Sequence, residues 1–396
     1  MTAASGGAVP GNGGPASGNG GGPAMRFSVD AWDPAYGTNL ELEDFLGEST
    51  ARVEVNVELP ASQWRPVDPD PGRPVPAALL FVDGVRRIEA RVWIEEDPPD
   101  GGPLPEASAA LCASYAAGVV CCCGQQAHIV LVETRRGLFT VAPRAESIAT
   151  WAGEYTACRT KAHPDRPLPV TLSQALQRRL GDIEVQVAVA ARASVAGHGV
   201  PDGGDLLVID GPLHGRQHLP RAIGYIKSHR TTYLPPPLNA LVGTLRPGQR
   251  TPVFLIGTSW DRHTWYLRLP SAAYPSAAYP GAASPGAVNS GAAGPGAASP
   301  GVAGPGAVGL AGPPWAGIVR IECSADLPVS EVTNLAALSQ ACLGRFASAE
   351  YKDTRAPQNL YPIAGLEREL RRRLGDPRLL YRALRLSARA EAPPAR

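Results

Sequence analysis

Two apolar runs of similar make-up, AALLFVDG at 77–84 and DLLVIDGPL at 205–213, each stop at an Asp-Gly pair, which directs the chain towards folds with a buried sheet. Short apolar runs bounded by turn residues read as strands covered on both faces. Between them lies TLSQALQRRLGDIEVQVAVAARASVAG (171–197), where Leu172, Leu176, Leu180, Ile183 and Val187 recur at helical spacing. Thr171 is placed to cap that helix and Gly197 to follow it. The alternating segment RIEARVWIEE (87–96) reads as a half-buried strand, paired with the first run in a hairpin that turns at Asp83-Gly84. SAALCASYAAGVVCCC (108–123) is apolar throughout, and HIVLVET (128–134) is again strand-like.

The resulting order is three strands, one long helix, then a fourth strand. This β-β-β-α-β order is similar to the opening of the ribonuclease H-like fold, an α/β architecture with a mixed sheet flanked by helices. In that fold the first and fourth strands lie side by side, which would make the two Asp-Gly ends neighbours.

Other stretches lack such patterns. Residues 1–24 are almost wholly Gly, Ala, Pro, Asn and Ser, a composition that buries too little apolar surface to offset ordering entropy, and read as a disordered tail. Residues 271–314 repeat five-residue units such as SAAYP and GAASP. They fall between HTWYLRLP and WAGIVRIECSA, both strand-like, and so read as an overgrown hairpin loop. One folded domain over 25–390, interrupted by this low-complexity insertion, accounts for the chain.

With 37 basic against 36 acidic side chains, no whole-molecule field draws the chain to nucleic acid or membrane, so such binding has to be local. Seven cysteines without a Cys-x-x-Cys pair argue against a disulfide framework. No signal-like segment or long apolar span is present, and the expected location is the cytoplasm.

Hard divalent cations take oxygen ligands, and carboxylates at adjacent strand ends supply them while leaving the site open to substrate. Asp83 and Asp210 fit that role, although an Asp-Gly pair by itself is ordinary turn chemistry. Glu184 is the only glutamate in the 171–197 pattern and is the candidate third ligand; Asp182 points about 100° away on a helix. Lys227 is one of only three lysines and stands with His229 and Arg230 in GYIKSHRTTYL, a cluster able to hold a phosphate or to be a solvated loop. His214 and His218 straddle Gly215, which disfavours a helical zinc pair. Cys121, Cys122 and Cys123 alternate faces on a strand and suit burial. The arginines of LERELRRRLGDPRLLYRALRL (366–386) read by default as a solvated helix face.

FVDGVRR, LLVIDGPL followed by GYIK, the WYLRL and IVRIE strands, and PQNLYPIAGLE resemble, in this order, the motifs of the NurA nucleases, over about residues 75–390 apart from the insertion. The resemblance implies a Mn²⁺- or Mg²⁺-dependent DNA nuclease with a ribonuclease H-like core. It implies a homodimer that works with a hexameric HerA-type ATPase in end resection during DNA repair. Carried over, the ligands are Asp83, Glu184 and Asp210, and Lys227 is the phosphate-side lysine. The chain departs from the family at Val85, where a serine is usual, and at Ala364, Gly365 and Leu366, where a histidine is usual. These departures leave open an alternative, a degenerate module that binds DNA or an ATPase without hydrolysis.

Overall fold

The computed structural model describes residues 51–96, 106–124, 126–201, 203–229, 231–271, 315–349 and 351–391. The tail expected at 1–24 and nearly all of the expected insertion lie outside the described residues. In chain order the strands are β1 (Arg52–Glu54), β2 (Ala78–Glu96), β3 (Glu106–Cys123), β4 (Gln126–Thr140), β5 (Ile148–Thr150) and β6 (Gly153–Arg159), followed by helix α1 (Leu168–Gly197). Next come β7 (Asp205–Asp210), β8 (Ala222–Ile226), helix α2 (Pro236–Thr244), β9 (Phe254–Gly257), β10 (Asp261–Arg268) and β11 (Ile318–Ser324). Helices α3 (Val329–Cys342), α4 (Tyr361–Arg373) and α5 (Pro377–Glu391) complete the order.

Among the described residues these strands form one mixed sheet in the order β1-β9-β10-β11-β8-β7-β2-β3-β4-β6-β5. At its centre β2 and β7 run parallel, from Ala78↔Asp205 to Val82↔Ile209, and both are apolar because helices cover both faces. On one face Leu172, Leu176, Leu180, Ile183 and Val187 of α1 pack on Leu80, Val82, Leu207 and Ile209. On the other, Leu335 of α3 and Ile363, Leu366 and Leu370 of α4 pack on Phe81, Val208 and Ile321. Each such side chain contributes about 1.5–3 kcal/mol when fully buried, so both layers are fastened by the same strands that carry the aspartates.

Three local expectations are corrected. The hairpin at Asp83-Gly84 does not exist: 77–84 and 87–96 are parts of β2, one 19-residue strand whose pairing with β3 runs on from Asp83↔Gly118 to Val85↔Ala116. Gly84 is absent from the positive-φ residues, so nothing turns the chain there. The helix begins before Thr171, with Pro167 at its N-cap and a proline in its first turn, where a missing N–H costs nothing. Two short strands that the sequence pattern does not reveal, β5 and β6, stand between β4 and α1.

The strands flanking the insertion do pair, from Arg262↔Ser324 to Arg268↔Ile318. Arg268, fully buried, closes this hairpin base by donating to the carbonyls of Ala316 (2.6 Å) and Gly243 (3.1 Å). The 366–386 pattern divides into α4 and α5 at Gly375 (φ +85°), and Asp376 caps α5 by accepting the Arg378 and Leu379 N–H groups at 2.7 and 3.1 Å. No helix among the described residues is long and apolar enough to cross a membrane.

Candidate metal centre

Side chains alternate along β2, so Asp83 lies on the same face as Leu79, Phe81 and Val85, the face covered by α3 and α4. The same alternation puts Asp210 with Leu206 and Val208, and Lys227 with Ile223 and Tyr225. Because Val82 pairs with Ile209, Asp83 and Asp210 come side by side. Asp83 is buried, and its Oδ1 accepts the Gly84 N–H at 2.7 Å.

Glu184 arrives from the opposite face. It is buried on α1, and at Gly84 it comes so close that any side chain there would collide with its Oε1 and with Leu180. A strand glycine marking a close approach explains this Asp-Gly better than a turn does. Asp182 points outward and pairs loosely with Arg179 (3.8 Å), so Glu184 is the inward acid.

The second Asp-Gly is a true bend. Gly211 takes φ +98°, its N–H donates to the Tyr225 carbonyl at 2.9 Å, and Leu213 N–H donates to buried Glu322 Oε1 at 2.7 Å. Gly224 lets the two segments meet: a Cβ there would stand 2.9 Å from the Gly211 carbonyl oxygen and 3.0 Å from Leu213 N. Because those neighbours are backbone, Gly224→Ala is expected to destabilise by about 1–3 kcal/mol, read as a lower urea midpoint at unchanged slope.

Two of the three carboxylates have a cationic partner. Lys227 Nζ donates to Asp210 Oδ2 (2.6 Å) and to Asn359 Oδ1 (3.1 Å), and Asn359 in turn donates to Asp353 Oδ2 (2.6 Å). Arg216 donates to Glu184 Oε2. Asp210 Oδ1 is buried and accepts no hydrogen bond. Burial, then the charges of Asp210, Glu367 and Glu184, hold the Asp83 carboxyl well above the ordinary carboxylate range, with Lys227 opposing. Burial also raises Glu184, assisted by Asp210 and opposed by Arg216. An orphaned carboxylate oxygen among crowded acids, with only oxygen donors from the three carboxylates, fits a hard divalent cation.

Sequence reasoning misses Glu367, Asn359 and Arg216. Glu367 is buried on α4, pairs with Arg355 (2.7 Å) and Arg371 (2.8 Å), and adds a further negative charge at Asp83. It is the last residue of PQNLYPIAGLE, and that motif meets GYIK at two points: Asn359 on Lys227, and the Gln358 carbonyl, which accepts the Tyr225 hydroxyl at 2.6 Å. Val85 is buried in the core under α4, and Ala364 and Leu366 are buried core residues of α4. His229 does not join Lys227: its Nε2 lies 2.8 Å from the Ile318 carbonyl, and its ring packs on Tyr266 and Trp315. Arg230 lies outside the described residues. His214 packs on Trp260, at 5.7 Å between ring centroids. Arg371, Arg372 and Arg373 pair with Glu367 and Glu369 on α4 itself.

Beside Glu184 a cleft of about 620 Å³ opens between α1 and β6, lined by Arg159, Arg178, Arg179, His214 and Arg216.

No protein-family model matches the chain, and no curated protein matches it. Among solved structures it is similar to the NurA nuclease from Sulfolobus solfataricus, with 8% identity over 78% of this chain and 81% of that one, and a TM-score of 0.34. A likeness so distant decides nothing about chemistry, which has to be read from the side chains themselves.

Proposed function

We propose that the chain is a divalent-metal-dependent deoxyribonuclease whose cation, Mn²⁺ or Mg²⁺, is held by Asp83, Glu184 and Asp210. The observation that carries this reading is the meeting of buried Asp83 with Asp210, whose Oδ1 is buried and left without a partner. When bound, such a cation supplies Lewis-acid activation of a phosphodiester and of water. The chain's own residues orient the reaction: Lys227 donates to Asp210 Oδ2, where it would meet a phosphate, and the bend at Gly211, tied to the Tyr225 carbonyl, holds both in register. The order β4-β3-β2-β7-β8 around the site supports a ribonuclease H-like core. The motif resemblance extends the proposal to a cytoplasmic homodimer that resects DNA ends in repair with a HerA-type hexameric ATPase.

The test is digestion of single- and double-stranded DNA by the purified chain with Mn²⁺ or Mg²⁺, beside Asp83→Ala and Asp210→Ala. Cleavage by wild type and none by either variant is expected, and equal cleavage by all three overturns the assignment. The arginine-lined cleft suits a phosphate backbone. Replacing Arg178 and Arg179 by alanine is therefore expected to weaken DNA binding across sequences and to lower the salt slope by about 1 for each phosphate no longer neutralised, measured by anisotropy at several salt concentrations.

One observation favours a second reading. Arg216 on Glu184 and Lys227 on Asp210 already supply positive charge to two of the three carboxylates, as a non-catalytic module that docks on DNA or an ATPase would require. Calorimetric titration with Mn²⁺ separates the readings, because only a metal enzyme gives a heat that disappears in Asp83→Ala.

A further inference from the structure

We propose that Cys121, Cys123 and His128 form a second metal site, for a thiolate-preferring cation such as Zn²⁺, at the β3–β4 hairpin. Cys121 and His128 are direct cross-strand partners, and Cys123 lies two residues along β3. Reading the three cysteines as a run hides this: the period of two sends Cys122 to the opposite face, into the core under α3 and α4, and leaves Cys121 and Cys123 together. The Sγ atoms and a ring nitrogen of His128 all lie within 4.8 Å of one another. A tetrahedral zinc ion, at about 2.3 Å from sulfur and 2.0–2.1 Å from nitrogen, needs its ligands roughly 3.5 Å apart, which small side-chain rotations supply. Core packing accounts for Cys121 and in part for half-buried Cys123, which packs against the same cluster, but not for His128, which is exposed. That grading gives an entry path and leaves the fourth position facing solvent.

The site is separate from the carboxylates in place and chemistry. Asp83 pairs with Gly118, and Cys121 is three residues further along β3, roughly 10 Å away. A sulfur and nitrogen donor set selects a softer cation than an oxygen set does.

The experiment is titration of the reduced full-length chain with Co²⁺, followed through the thiolate-to-cobalt charge-transfer band in the near ultraviolet, then displacement by Zn²⁺. A stoichiometric band is expected, weakened at least about tenfold in affinity by Cys121→Ser, Cys123→Ser or His128→Ala. It is expected to persist in Asp83→Asn, which separates this site from the proposed nuclease centre. Absence of the band in wild type, or its persistence in all three ligand variants, overturns the proposal. A measurement on wild type alone guards against misfolded variants: Zn²⁺ should slow alkylation of Cys123, read by mass spectrometry, and an unchanged rate also overturns the site.

Discussion

Asp83→Asn is expected to lose metal-supported cleavage on the order of 10³-fold while raising the melting temperature of the metal-free protein by several degrees. The two effects share one cause. Asp83 is buried beside Asp210, Glu184 and Glu367, and its carboxyl is held well above the ordinary range. The folded state therefore holds that proton more tightly than the unfolded state does. Metal-free stability is fully present below the ordinary carboxylate pKa and falls as pH rises through the raised folded value. An asparagine keeps the acceptor for the Gly84 N–H and cannot ionise, so the variant should lack that decline. It also removes a ligand, so added Mn²⁺ should stabilise wild type and leave the variant unmoved. Parallel melting curves across pH, with and without Mn²⁺, check both signs. A variant that melts lower than wild type at alkaline pH would contradict the crowding argument.

Gly84→Val is expected to reduce cleavage by about 10²-fold without replacing any ligand. The new side chain would occupy the space held by Glu184 Oε1 and the Leu180 side chain, so Glu184 must withdraw from Asp83. Over-packing of this kind costs about 1–3 kcal/mol, and the lost approach should appear as weaker Mn²⁺ binding in calorimetry. A Gly84→Val protein with wild-type affinity would show that Glu184 does not share the cation.

Those two residues also mark how far the sequence is legible. The central strands and α1 are readable because burial on both faces imposes continuous apolar runs and a regular helical stripe. Asp83-Gly84 reads wrongly as a turn, because the dipeptide looks identical whether glycine is needed for a positive φ, as at Gly211, or for a helix approaching from the far side, as at Gly84. β5 and β6 span only three and seven residues of mixed apolar and polar type, too short to carry a periodicity that can be seen. Arg216, Asn359 and Glu367 escape for a different reason. Their roles come from partners far away in the chain: 32 residues separate Arg216 from Glu184, and 132 separate Asn359 from Lys227. No local pattern encodes such meetings.

The base of the β10–β11 hairpin bears on how this chain can vary. Register ends at Arg268↔Ile318, where Arg268 holds the Ala316 and Gly243 carbonyls and His229 meets the Ile318 carbonyl. Among the described residues, the paired register of β10 and β11 lies on the near side of that seal. Doubling the number of residues spanned beyond it costs only about 0.6 kcal/mol. Length variation between those two strands is therefore expected to leave the β10–β11 register unchanged.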